Sequence, residues 1–277
     1  MGKLSRILAA AFLAWTFSGC GKGLDTTFVI KAPELEVKTG LKAWYRAASF
    51  SGTFNFGASL SGATWSGQDG YGSSLITSGS NLYFQGSPPN GSYPGTQSVS
   101  VAGSATKFFV AASNLGTFSR ISIYAALRLP SAGDGGVGVS SGAGFTCGSI
   151  DQIGLFAESG TGYWRADICK SGYGSAVTAA LDNTGQNTAS RILRVRFNES
   201  DQTIRLFAPG MTESVSSTSS IGTNTLTLTG EFSIGALSGV ANNGTADVYE
   251  VLVYDSILSS DDDSSVIEYL RNSHPVH

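Results

Sequence analysis

Apolar side chains recur at every second position through most of the chain beyond residue 40. In Ser119–Leu129 they all fall on one face of an extended chain: Ile121, Ile123, Ala125, Leu127 and Leu129. Because successive side chains of a strand point to opposite faces of a sheet, this pattern predicts a strand with one face on the core. Arg191–Phe197 repeats the alternation, the polar turn Asn198–Asp201 follows, and Thr203–Phe207 returns as its partner. These segments predict a β-hairpin.

Short strands separated by turns are predicted along the rest of the chain. They are Gln97–Ala102, Lys107–Ala112, Gln152–Ala157, Tyr163–Cys169, Thr225–Thr229, Phe232–Leu237 and Ala246–Tyr254. A hydrophobic fraction of 41% provides the apolar surface that disordered chains lack, and 36 glycines provide the turns. No long amphipathic helix pattern separates the strands, which excludes parallel βαβ units. The sequence therefore predicts an all-β protein.

The end of the chain changes from a strand pattern to a helix pattern. Val266 and Leu270 are four residues apart and follow the acidic run Ser259–Asp263. Acidic residues suit the first turn of a helix, and Ser260 with Asp263 resembles a capping box. We predict one short C-terminal helix that packs on the sheets through Val266 and Leu270.

The segment Tyr249–Ser273 resembles the last strand and terminal helix of concanavalin A-like lectin/glucanase domains, in their laminin-G-like bacterial branch. Leu41–Ala47 is similar to the first strand of that family, and Ser98–Val110 to a later strand-turn-strand unit. Trp65–Leu75 resembles its W-x-D-x-S-G-x-G-x-x-L segment, with Gly67 where the family has Asp. The resemblance implies a jelly-roll β-sandwich of two antiparallel sheets and a C-terminal helix, but it fixes no ligand.

The first residues have the organisation of a bacterial lipoprotein signal. Lys3 and Arg6 precede the uncharged apolar run Ile7–Phe17, which is too short to span a bilayer as a helix. The following Ser18-Gly19-Cys20 resembles a lipobox; the alternative is an ordinary signal cut beside a chance cysteine. We predict a cleaved signal over 1–19, a lipidated flexible tether over 20–40 that begins at Cys20, and a β-sandwich domain over 41–277.

Cys20 is followed by Gly21 and Lys22, so the Asp that retains many lipoproteins in the inner membrane is absent. We therefore expect an outer-membrane lipoprotein that faces either the periplasm or the outside. Two cysteines remain in the exported chain, Cys147 and Cys169. A single pair in an exported chain predicts a disulfide, the alternative being two buried free thiols.

Motifs for catalysis are weak in this sequence. The paired acids of retaining glucanases alternate along one strand, whereas the E-x-D motif Glu199–Asp201 falls on a predicted turn. Gly138–Gly142 fits G-x-S-x-G, but the two histidines of the chain, His274 and His277, both lie in its tail. Lys and Arg, 17 against 20 acidic residues, form no cluster that would neutralise phosphates. We expect neither an enzyme nor a nucleic-acid-binding protein.

Two kinds of residue remain as candidates for binding. Asp134, Asp151 and Asp182 are possible calcium ligands near loops, although such residues more often form turns. Four aromatic residues lie in polar stretches and are candidates for stacking on sugars; the alternative for each is a ring that packs in the core or at its rim. They are Tyr71, Tyr93, Trp164 and Tyr173. We interpret the chain as a membrane-anchored, non-catalytic domain that binds glycans at the cell envelope. The alternative is a structural or adhesin-like lipoprotein whose partner is a cell-surface protein.

Overall fold

The computed structural model describes residues 33–274, apart from positions 51–52, 54, 56, 86–96, 102–106, 129–134, 141–146, 158–162, 183–189, 223–224 and 237–245. Within this part of the chain there are eighteen β-strands, one α-helix and three short 3-10 helices. The strands account for most of the ordered backbone, so the all-β prediction is confirmed.

The strands are, in chain order, β1 (Leu41–Arg46), β2 (Thr64–Trp65), β3 (Leu75–Ser78), β4 (Leu82–Gln85), β5 (Ser98–Val101), β6 (Lys107–Val110), β7 (Gly116–Phe118), β8 (Arg120–Arg128), β9 (Gly135–Ser140), β10 (Gln152–Ala157), β11 (Tyr163–Cys169), β12 (Val177–Asp182), β13 (Arg191–Asn198), β14 (Thr203–Phe207), β15 (Ser214–Ser217), β16 (Leu226–Leu228), β17 (Phe232–Ala236) and β18 (Ala246–Tyr254). The helix α1 is Ser260–Ser273, and the 3-10 helices are Ala47–Phe50, Gln68–Gly70 and Ser219–Ile221. The predicted strands all occur, several of them one or two residues shorter than expected.

Two large antiparallel sheets are packed face to face. The first sheet has the order β15-β14-β13-β8-β18-β5-β4, and β1 pairs with the C-terminal part of β18. The second sheet has the order β12-β11-β10-β9-β17-β6-β3-β2, and β16 pairs with β7 in a separate ribbon. The jelly-roll sandwich of two antiparallel sheets is therefore the observed fold.

Apolar side chains from both sheets fill the space between them. One end of this core is aromatic, with ring centroids 5.2–6.1 Å apart: Tyr45, Phe50, Trp65, Phe84, Phe108 and Phe232. Trp65 is fully buried, and its indole N–H donates to the carbonyl of Arg46. This tryptophan is thus a core residue.

The central part of the first sheet, around β1, β8 and β18, is buried on both faces. Ile121 and Ile123 of β8 point into the core between the sheets, whereas Tyr124 and Ala126 of the same strand point toward α1. The apolar residues between the first sheet and α1 form a second cluster, here called the helix-side core. The molecule therefore has three layers, with the first sheet in the middle.

Helix α1 is capped one residue earlier than predicted. Ser259 is the N-cap: its hydroxyl accepts from the Asp262 N–H at 3.2 Å and donates to the Asp262 carboxylate at 2.9 Å. Asp263, which we expected in the capping box, is instead buried against the first sheet, where it accepts from the Tyr124 hydroxyl at 2.6 Å. The predicted stripe is confirmed, since Val266 and Leu270 are both fully buried.

Residues 33–40, which the sequence assigned to the tether, pack against the body. Leu35 is 1% exposed within the helix-side core, and the Tyr254 hydroxyl donates to the Val37 carbonyl at 2.8 Å. Cys20 and the rest of the predicted signal and tether lie outside the described residues. Among those described, no helix combines the length and apolar character needed to cross a bilayer.

Candidate functional site

The outer face of strands β11 and β12, in the second sheet, brings an exposed aromatic ring next to charged and hydroxyl side chains. Trp164, Ala166 and Ile168 alternate into the core and are fully buried, which leaves three odd-numbered residues of β11 on the outer face: Tyr163, Arg165 and Asp167. Antiparallel register sets Arg165 opposite Ala180 and Asp167 opposite Thr178. We call Tyr163, Arg165, Asp167, Thr178 and Ala180 the β11–β12 face.

The polar groups of this face hold one another in place. The Arg165 guanidinium donates through Nη2 to Asp167 Oδ2 at 3.0 Å and to the Thr178 hydroxyl at 3.1 Å. The Thr178 hydroxyl in turn donates to Asp167 Oδ1 at 2.7 Å. Arg165 is 25% exposed and Asp167 15%, so both reach the surface while their orientation is fixed. Such a set presents donors and acceptors to a ligand with little loss of side-chain entropy.

Strand β12 is itself fixed by the first sheet. The Ser216 hydroxyl of β15 donates to the Thr178 carbonyl at 2.6 Å, and the Ala180 N–H donates to the Ser214 hydroxyl at 3.1 Å. These bonds join the edges of the two sheets beside the β11–β12 face. The edge of the first sheet therefore holds β12 and its Thr178 in place, which keeps the polar network rigid.

The β11–β12 face is low in relief and aromatic at one end. Tyr163 is 37% exposed, and Ala180, beside Arg165, is a small exposed residue. Gly154 of β10 pairs with Asp167 and adds no side chain to the face. A ring next to planar donors and acceptors is the arrangement that binds a sugar, whose apolar face stacks while its hydroxyls are hydrogen-bonded.

The predicted aromatic candidates have different outcomes. Trp164 is a core residue with no exposed surface, so the prediction for it is wrong: strand alternation turns it inward and its neighbour Tyr163 outward. Tyr71 is half-buried against the helix-side core. Tyr173 is 39% exposed in the loop that joins β11 to β12, where its hydroxyl lies next to Gly222. Tyr93 lies outside the described residues.

The disulfide prediction is confirmed. Cys147 and Cys169 are bonded, with their Cα atoms 5.1 Å apart, and the bond ties the loop before β10 to the end of β11. Gly148 and Ser171 form a bridge beside it. The disulfide thus closes the end of β11 that is opposite Tyr163.

The calcium candidates do not form a metal site in the described part of the chain. Asp151 accepts from the backbone N–H groups of Ser171 and Thr227, both at 2.9 Å, and from the Lys170 ammonium at 3.3 Å. Its carboxylate is therefore occupied by a lysine where calcium would need a vacant, anionic pocket. Asp182 is exposed at the end of β12, and Asp134 lies outside the described residues. No three acidic, histidine or cysteine side chains come together among those described.

The described histidine and the E-x-D motif have structural roles. His274 is buried and its Nε2 is 2.6 Å from Glu250 Oε2. Glu199 and Asp201 lie on the β13–β14 turn, where Asp201 accepts from the Asn198 amide at 2.7 Å. Neither arrangement pairs a nucleophile or acid with a base in a cleft.

The fold is a β-sandwich of a kind found in receptor-binding domains. Similar solved structures are the ligand-binding domain of botulinum neurotoxin serotype D in complex with N-acetylneuraminic acid (TM-score 0.55, 12% identity) and the serotype D receptor-binding domain (TM-score 0.56, 10% identity). The binding domain of botulinum neurotoxin DC in complex with SialylT is another (TM-score 0.53, 10% identity).

Each of these matches covers 83% of this chain but only 50% to 52% of the neurotoxin domain, so the chain spans about half their length. At such identities the likeness shows the fold alone. The sequence matches no protein-family model and is similar to none of the curated proteins. These three structures are described as ligand-binding, receptor-binding or binding domains.

Proposed function

We propose that this chain is a non-catalytic recognition domain that binds glycans through the β11–β12 face. The observation that carries the proposal is the exposed Tyr163 ring next to the fixed Arg165–Asp167–Thr178 network. The tyrosine ring provides a surface for the apolar face of a sugar, and the network provides oriented donors and acceptors for neighbouring hydroxyls.

Two further observations, one from the fold and one from the sequence, support this proposal. Solved structures of similar fold are described in complex with N-acetylneuraminic acid and SialylT. The terminal segment Tyr249–Ser273 resembles concanavalin A-like domains, a superfamily that includes lectins. We assign the chain to the lectin side of that superfamily because the described residues hold no strand with alternating acids on its exposed face.

A glycan array with the purified protein tests the proposal. We expect Tyr163→Ala to weaken glycan binding by about 1–2 kcal/mol, or roughly 5- to 30-fold, because a stacked aromatic anchor is lost. Asp167→Asn should weaken it similarly by breaking the network. Tyr173→Ala is the matched control: this ring is as exposed as that of Tyr163 but lies off the face.

Two results would contradict the site or the function. Binding that is lost in Tyr173→Ala and kept in Tyr163→Ala would place the glycan site in the loop after β11. A correctly folded protein that retains no glycan would favour the alternative, a structural or adhesin-like lipoprotein that binds a cell-surface protein.

We further propose that Cys20 carries a lipid that anchors the domain in the outer membrane. A diacylated cysteine holds a protein stably, since each buried methylene adds about 0.8 kcal/mol. We expect the wild type to incorporate labelled fatty acid and to fractionate with outer-membrane markers, and Cys20→Ala to do neither. A wild-type protein that takes up no label would refute the anchor, and recovery with inner-membrane markers would refute the sorting.

A further inference from the structure

A carboxylate lies directly beside the exposed ring at the Tyr163 end of the β11–β12 face. Antiparallel register pairs Tyr163 of β11 with Asp182 of β12, and both residues are exposed on the outer face of the second sheet. Cross-strand partners on one face have Cβ atoms about 4.5–5.5 Å apart, so the ring and the carboxylate can contact the same ligand. Ala180, the next outward residue of β12, is small and exposed, which leaves room for a sugar beside Asp182.

The positive charge of the β11–β12 face is directed away from this end. Arg165 extends toward the cross-strand pair Asp167 and Thr178, and its Nη2 donates to both side chains. Asp167 thereby compensates the charge of Arg165. The face together with Asp182 has one guanidinium against two carboxylates, which leaves an excess of one negative charge next to the tyrosine ring.

The loops that adjoin this end in the chain bring no positive charge. Residues 158–162 precede Tyr163 and residues 183–189 follow Asp182, and together they contain Glu158 and no lysine or arginine. Hydrogen bonding to Asp182 does not remove its charge, since an aspartate is ionised at neutral pH. A ligand at this end of the face is therefore in a negative local potential.

An aromatic ring beside a carboxylate is suited to an ammonium group on a sugar. The carboxylate accepts charge-assisted N–H bonds, and the face of a tyrosine ring attracts a cation within about 6 Å of its centroid. A carboxylate or sulfate on the sugar would instead meet a like charge, and a hydroxyl would gain neither the ionic nor the cation–π attraction. The local charge thus discriminates between sugars of the same shape.

We propose that the β11–β12 face is selective for glycans that carry a free amino group, and that Asp182 sets this preference. The inference rests on the proposed function, because it names the class of sugar bound at that same site. Tyr163 stacks on the sugar ring and Asp182 accepts from its ammonium group. The Arg165–Asp167–Thr178 network binds the hydroxyls of the adjoining sugar.

Titration calorimetry at low ionic strength tests the preference with three β-1,4-linked tetramers, at a mildly acidic pH that keeps the amine protonated. The tetramers share one backbone and differ at carbon 2: glucosamine carries an ammonium group, N-acetylglucosamine an amide and glucose a hydroxyl. We expect the glucosamine tetramer to bind about five- to tenfold more tightly than the other two, as an exposed ion pair and an exposed cation–π contact together provide. The preference should decline as salt is added, because the attraction is ionic.

Variants then assign the preference to Asp182. Asp182→Asn keeps the size of the side chain and removes its charge, so it should abolish the preference for the glucosamine tetramer. Binding of the glucose tetramer should stay within about twofold of the wild type, because it gains no ionic attraction. Tyr163→Ala should weaken the binding of all three tetramers. Asp261→Asn is the matched control: this exposed aspartate lies on α1, so the preference should be unchanged.

Three outcomes would overturn the inference. Equal binding of the three tetramers, or tighter binding of the anionic glycan sialyllactose, would exclude the amino preference. A preference that survives in folded Asp182→Asn would assign it to another residue. The glycan array separates this failure from that of the proposed function: ligands that depend on Tyr163 but lack amino groups would refute the inference alone, whereas retention of no glycan of any kind would refute both.

Discussion

Replacing Glu250 by glutamine is expected to lower the free energy of unfolding by about 3–5 kcal/mol, the usual effect of breaking a buried ion pair. Glu250 is fully buried between β1, β18 and α1. Its Oε1 accepts from the Trp44 indole at 2.5 Å and the Tyr269 hydroxyl at 2.6 Å, and His274 Nε2 is 2.6 Å from Oε2. The Glu250 carboxylate thus connects β1 and β18 to the C-terminal part of α1, through Tyr269, and to the C-cap residue His274.

The charge of Glu250 matters as well as its hydrogen bonds. Arg46 Nε lies 3.6 Å from Oε2, and the Arg46 side chain is only 16% exposed. A neutral amide would leave that guanidinium without a counter-charge among the described residues, in a site where unpaired charge is costly. Burial raises the pKa of Tyr269, so its hydroxyl stays a donor throughout the ordinary pH range. The amide nitrogen of glutamine would compete with these donors instead of accepting from them.

Urea unfolding followed by circular dichroism measures the effect. Glu268→Gln is the matched control, because Glu268 is exposed on the same helix and the chemical change is identical. It should alter the free energy of unfolding by no more than about 0.5 kcal/mol. Amide exchange should also be faster in α1 of Glu250→Gln than in the wild type. If Glu250→Gln lowers the free energy of unfolding by less than about 1 kcal/mol, the stabilising role inferred for the buried Glu250 carboxylate is contradicted.

The position of Glu250 shows where sequence patterns stop being sufficient. Alternation predicted β18 correctly, but not its bulge: Val248 pairs with Leu127 and Glu250 with Ala126, so Tyr249 is an extra residue. The bulge allows Val248 and Val251 to face the core between the sheets while Tyr249 faces α1. A pattern of period two does not reveal an inserted residue, because the register depends on the partner strand.

The resemblance to concanavalin A-like domains also has a local limit. At position 67 this chain has Gly where the family has Asp. A Cβ at Gly67 would lie 1.8 Å from the Tyr71 carbonyl oxygen, because the 3-10 helix Gln68–Gly70 folds the chain back over it. Only glycine fits this turn, so the departure from the family pattern is a consequence of local backbone packing.

The candidate sites were partly visible in the sequence. Alternation in Tyr163–Cys169 separates the inward Trp164 from the outward Tyr163, so the identity of the exposed ring follows from the local pattern. The ion pairs of Arg194 and Arg196 with Asp263, in contrast, depend on the approach of α1 to the first sheet. The exposed ring follows from the local period of a strand, whereas the contacts between α1 and the first sheet require tertiary structure.

Removing the disulfide should destabilise the protein nearly as much as the change at Glu250. The bond joins Cys147 and Cys169, which are separated by 22 positions, and the chain-entropy model assigns such a loop about 3 kcal/mol. The loop also carries Asp151, whose carboxylate ties Ser171 to Thr227, so loosening it should expose that network. We expect reductant to lower the urea midpoint of the wild type.

The double variant Cys147→Ala/Cys169→Ala should unfold at a similarly low urea concentration, with no further response to reductant. Alkylation of the native, unreduced protein checks the premise independently: both thiols should be blocked in the wild type. Two freely alkylated cysteines would contradict the pairing, and a double variant as stable as the wild type would contradict its contribution to stability. Because the bond closes the end of β11 opposite Tyr163, the double variant should keep most of its glycan binding at temperatures where it remains folded.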